Sequence, residues 1–178
     1  MKKNYFVLLA VTSLLLSGCA QNKTYEASEW EDSEEEVVEL TPDEQAAQDI
    51  TGTWSYTYQD SDGYPVTNTY VFNSDKSLVE SIVGVYSNGT LKMESKGVWK
   101  VRDNIIEFLY ELDECKSYID GVFNDELTQA LRDEDKQENL KVREYKEQGK
   151  TYGFPIVRVS DDELVINMQG DEITLTKQ

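Results

Sequence analysis

The sequence predicts an all-β domain with a helical insert: an eight-stranded antiparallel up-and-down barrel, its helix placed between the fifth and sixth strands. Two observations carry this. From Ile50 onward, apolar side chains recur at every second position in short runs bounded by turn formers. Between about residues 120 and 149 that period gives way to helical spacing. Short antiparallel strands with one buried face each close most simply into a barrel, because closure removes their unpaired edges.

The chain opens on Lys2 and Lys3, an apolar run from Tyr5 to Leu16, and then Leu16-Ser17-Gly18-Cys19. A basic start, a short apolar core and small residues before a cut are the pattern of an export signal. The run is well short of the roughly 20 residues that span a bilayer as a helix. Its ending resembles the lipobox of bacterial lipoprotein precursors. The resemblance implies that residues 1–18 are a signal peptide and that Cys19 is lipidated, anchoring the chain to a cell-envelope membrane. The outer membrane is the expected one. Residues 20–23, Ala-Gln-Asn-Lys, separate the cysteine from the first acids, which favours the periplasmic side over surface display.

Removal of residues 1–18 takes Lys2 and Lys3 and no acid, so the formal charge moves from −18 to −20. A surface of that sign repels nucleic acid phosphates and excludes nucleic acid as a partner. Of the two cysteines, Cys19 is assigned to the lipid, leaving Cys115 with no intramolecular partner. The chain has no histidine to activate a thiol, so Cys115 is expected to be an inert residue at the end of a strand.

Residues 19–49 form the expected tether. Acids dominate it, from Glu26 through Glu34, Glu35 and Glu36 to Asp49, against one base, Lys23, and such density keeps a chain extended. Near its end, Thr41-Pro42-Asp43-Glu44 reads as a cap, a first-turn proline and two first-turn acids, opening a short helix to about Gln48.

The barrel domain is expected over 50–178. Trp54, Tyr56 and Tyr58 share one strand face, opposite Thr53, Ser55 and Thr57. The loop 60–65 precedes strands at Thr69–Asn73 and Leu78–Tyr86, and Asn88-Gly89 marks a hairpin. In the next strand Leu91, Met93, Ser95, Gly97, Trp99 and Val101 lie on one face, with charged residues on the other except for Val98. A turn at Arg102-Asp103-Asn104 leads into Ile105–Leu112. Asn124 can cap the insert, in which Phe123, Leu127 and Leu131 repeat every four residues, and Gly149 is its natural stop. Strands at Tyr152–Val159, Glu163–Met168 and Glu172–Thr176 finish the chain, with Pro155 indicating an edge or a bulge.

Gly52-Thr53-Trp54 is similar to the Gly-x-Trp signature of the lipocalin superfamily's first strand. Gly97-Val98-Trp99 followed by Asp103-Asn104-Ile105 resembles lipocalin-like domains of bacterial envelope lipoproteins, as does the terminal Leu164-Val165-Ile166 with Gly170-Asp171-Glu172-Ile173-Thr174-Leu175. The resemblance covers about 50–112 and 152–178, and implies a barrel able to hold a small apolar ligand, with no common activity.

An eight-stranded barrel is wide enough either to be filled by its own side chains or to enclose one small ligand. Trp54, Tyr56, Tyr58, Tyr70, Phe72, Trp99, Phe108 and Tyr110 would fill it, whereas Gly84, Ser95 and Gly97 would leave a hollow. The expected lining of a pocket is Tyr56, Tyr58, Tyr70, Met93 and Trp99, with tyrosine hydroxyls offering polar contacts. Asp60-Ser61-Asp62-Gly63 starts like a calcium loop, but lacks the downstream bidentate glutamate. No metal and no cofactor is expected. Without a histidine, a glycine-rich phosphate loop or a nucleophile beside a base, no enzyme is expected either. Two roles remain: a membrane-anchored barrel that binds a small apolar or amphipathic ligand, or a filled barrel serving as a protein-interaction or structural module.

Overall fold

Alternation every second residue becomes nine strand segments around a core. The computed structural model describes residues 39–178; Cys19, the segment 1–18 and most of the acidic stretch after it lie outside the described residues. The elements in order are α1 (Pro42–Ile50), β1 (Gly52–Gln59), β2 (Pro65–Phe72), β3 (Ser77–Tyr86), β4 (Gly89–Arg102), β5 (Ile105–Tyr110), β6 (Lys116–Gly121), α2 (Asp125–Gln148), β7 (Tyr152–Val159), β8 (Glu163–Met168) and β9 (Asp171–Lys177).

From β1 to β5 and from β7 to β9 neighbours in sequence are neighbours in the sheet, β5 pairs with β7, and β9 returns to pair with β1 at Trp54–Lys177 and Ser55–Thr176. The result is a closed, antiparallel, up-and-down barrel of eight staves. The ninth segment does not add a stave. Gly97–Arg102 of β4 pairs with β5, and Gly89–Glu94 of the same strand pairs with β6. The two segments lie end to end as one interrupted fifth strand, so α2 falls between the fifth and sixth staves. From Tyr110 to Lys116 the chain takes six steps while β4 takes three, from Gly97 to Glu94. The surplus bulges out around Cys115.

The break has a local cause. A side chain at Gly97 would stand 2.3 Å from the carbonyl oxygen of Leu109, so the two backbones approach more closely there than any larger residue allows. Beyond the break no strand among the described residues pairs with the outer edge of β6, and α2 covers it instead. Asp135 accepts from the Ser117 amide (3.0 Å) and hydroxyl (2.7 Å), while Asn139 donates to the Cys115 carbonyl (2.9 Å) and accepts from its amide (3.4 Å). These side chains replace the ladder that the interrupted strand lacks.

One pole of the barrel is plugged. Thr41 and Glu44 form a capping box at the start of α1, with Pro42 in the first turn. Ala47 and Ile50 of α1 are buried in the main core, so the core begins three residues before the expected Ile50 boundary. The Trp54 indole donates to the Ile50 carbonyl (2.6 Å), and Asp43 accepts from the Asp103 amide in the β4–β5 turn (3.2 Å). Asp103 and Asn104 both take positive φ (53° and 61°), as a two-residue hairpin of the primed type requires. Lys177 stands 5.0 Å over the Trp54 ring.

Pro155 pairs with Ile105 on the last rung between β7 and β5, and the β7–β8 register slips between Ile156 and Arg158. β2 starts at Pro65, earlier than the expected Thr69. α2 is one uninterrupted helix, capped by Asn124 and stopped by Gly149 in the left-handed conformation.

Candidate functional site

In an antiparallel barrel, residues paired across strands share a face, so the register sorts the interior into layers. Trp54, Tyr70, Glu80 and Ser95 lie on one rung across β1–β4; Tyr56, Asn68, Ile82 and Met93 occupy the next; Tyr58, Val66, Gly84 and Leu91 the last. Toward the α1 pole the interior is solid. Phe72, Leu78, Trp99, Ile106, Phe108, Tyr152, Phe154, Leu164, Ile166 and Leu175 are buried there, with ring contacts running through Phe108 to Tyr110, Tyr152 and Phe154.

Toward the opposite pole it is hollow. A cavity of about 500 Å³ opens between the last two rungs and α2. Val66, Ile82, Leu91 and Met93 form its barrel wall, and Phe123, Leu127, Ala130 and Leu131 its roof. Tyr86 closes one side, its ring packed against Tyr64 and Phe123. Gly84 makes room for that ring: a Cβ there would stand 2.7 Å from it. At the rim lie Gln59, Asp60, Asp62 and Asn88, with Glu134 in the helix wall. A second space of about 350 Å³, between β6 and α2, is lined by Ser117, Ile119 and Arg132 and shares Leu131 with the first.

The structure brings two of the five expected lining residues to the cavity, Tyr58 and Met93. Tyr56 stacks beside Tyr58 at 5.7 Å, one rung deeper. Burial raises its hydroxyl to about 12, so it stays a neutral donor. Tyr70 is deeper still, in a polar cluster within the core. Trp99 stands near the α1 pole, packed on Phe72 and donating to the Asn73 carbonyl at 3.1 Å. The tilt of alternation placed all five on inward faces; it did not say at which height.

Beneath the cavity, Glu80 is buried without an ion pair among the described residues. Its carboxyl accepts from the Asn68 amide (2.8 Å) and from the Tyr110 hydroxyl, and Asn68 also donates to the Tyr70 hydroxyl (3.2 Å). Burial raises the Glu80 pKa, with the Tyr110 and Asn68 bonds working in the other direction. Burial likewise holds Tyr70 and Tyr110 well above the usual range. Asn68 Oδ1 has no hydrogen-bond partner among the described residues. Sequence reasoning missed Glu80 because β3 carries Val79, Val83 and Val85 on its other face, so apolar contrast does not reveal which side is inward.

Cys115 is buried within the break of the fifth strand, and burial pushes its thiol up to about 11, away from thiolate chemistry. Glu134 differs from the other acids of α2 in lining the cavity. Half-buried like Asp135 and Glu138, it is raised to about 7 by burial and by the charges of these two. Among the described residues no group of three or more potential ligands could hold a metal ion, and no helix is long and apolar enough to cross a membrane.

No protein-family model matches the chain, and no curated protein matches it.

Proposed function

We propose that this chain is a non-enzymatic, lipid-anchored envelope protein whose barrel holds a small apolar or amphipathic ligand in the cavity beneath α2. The cavity carries the proposal. At about 500 Å³ it falls within the range of roughly 300–1,000 Å³ typical of small-molecule sites, and most of its wall is apolar. The apolar stripe of α2 supports the same reading over a filled interaction module. Phe123, Leu127 and Leu131 face the cavity instead of forming a patch on the outside of the helix.

The anchor rests on Leu16-Ser17-Gly18-Cys19 and the acidic stretch behind it, and the outer membrane's periplasmic face is the proposed location. Native mass spectrometry of the full chain tests the cavity, with decanol as the probe. The wild type is expected to retain one decanol, and Ile82→Trp, which fills the barrel wall, to lose it while remaining folded. Equal retention by both would overturn the site. Cys19→Ser is expected to move the chain from the membrane fraction to the soluble fraction.

A further inference from the structure

We infer that the cavity takes a cationic amphiphile, an apolar tail ending in a protonated amine, with the ammonium held by Glu134. This rests on the ligand-binding reading above and names the ligand's chemical class. The tail has its wall in Val66, Ile82, Leu91 and Met93. The charged groups around that wall are all acids. Glu134, Asp60 and Asp62 contribute carboxylates, and no lysine or arginine is among the lining residues. Arg132 lines the smaller space, which shares Leu131 with this one.

Glu134 is a lining acid whose carboxylate has no partner among the described residues. Its neighbours are committed: Asp135 to Ser117, and Glu138 to the Tyr152 hydroxyl (2.6 Å) and Lys141 (3.9 Å). Asp60 spends Oδ1 on the amides of Asp62 and Tyr64. Glu134 has neither a hydrogen bond nor an ion pair among the described residues, yet it is half-buried against apolar side chains. A carboxylate partly removed from water with no counter-charge is costly, and a cation delivered to it offsets that cost. An alkyl carboxylate would meet like charge at the same place, and an alcohol would gain no charge pairing.

The test is calorimetric titration of the full chain at about pH 8 with decylamine, decanol and decanoate, which share a tail and differ in head charge. Decylamine is expected to bind about tenfold tighter than decanol, and decanoate more weakly than decanol. Glu134→Gln is expected to remove most of the amine's advantage and leave decanol unchanged. Glu126→Gln lowers the net charge equally at an exposed position of α2 away from the cavity, and is expected to leave the advantage intact. Decanol binding as tightly as decylamine, or equal effects of the two variants, would overturn the amine class and leave the cavity reading standing. No binding by any of the three, or decylamine binding untouched by Ile82→Trp, would overturn both.

Discussion

Glu80 is a carboxyl buried in a barrel, with no cation paired to it among the described residues. Its acceptors satisfy Asn68 and Tyr110, so its removal leaves two buried donors unpaired. Glu80→Ala is expected to cost about 2–4 kcal/mol, through those donors and the space vacated. Glu80→Gln keeps a polar group in place without a buried charge, and is expected to stay within about 1 kcal/mol of wild type. Urea unfolding midpoints check both; equal losses would show that the charge itself is required. Nothing in the sequence marks this residue, because a glutamate in a strand reads as solvent-facing and both faces of β3 are apolar. Trp54, by contrast, was legible, since its neighbours alternate cleanly between aromatic and hydroxyl side chains.

At the scale of elements, the interrupted fifth stave decides where α2 sits. β4 was plain from its alternation, but β6 was not, because Lys116–Gly121 offers only Ser117 and Ile119 to the inward face. A strand whose partner on one side is a row of helix side chains carries no periodic apolar signature. The same fact explains why the α2 stripe was visible while its place over the cavity was not: periodicity gives a face, and the break at Gly97 gives the docking position. Asn139→Ala removes a donor and an acceptor from the Cys115 backbone. It is expected to cost about 1–2 kcal/mol and to speed hydrogen exchange at the Cys115 amide while leaving β1–β3 protected. Uniformly faster exchange across β1–β3 would show that the helix contact and the barrel unfold as one unit.

For the whole molecule, the acidic balance sets the direction of the pH response. Glu134 has its folded pKa raised from 4.5 to about 7 by burial and neighbouring acids. The folded state therefore holds its proton more tightly than the unfolded chain, and the associated stability is present at low pH and lost as pH rises through about 7. Glu80 shifts in the same direction. Glu44, Glu94 and Glu114 are lowered by their partners and act oppositely, losing their contribution as pH falls below the ordinary carboxylate range. The thermal stability of wild type is expected to fall between about pH 5 and pH 8. Glu134→Gln should flatten that decline and, discounted for the residue's half exposure, gain on the order of 1 kcal/mol at the upper end. A steeper decline in the variant would reverse the sign assigned to this carboxyl.

The plug formed by α1 also fixes a direction. Thr41 enters the fold beside Asp103 at the solid pole, and the cavity lies at the other. Any pull transmitted through the residues before Thr41 therefore acts along the barrel from its closed end. A chain held from that side stands with its opening turned outward, like a cup fastened by its base. Under the anchor proposed at Cys19, what enters the cup would arrive from the medium and not from the membrane.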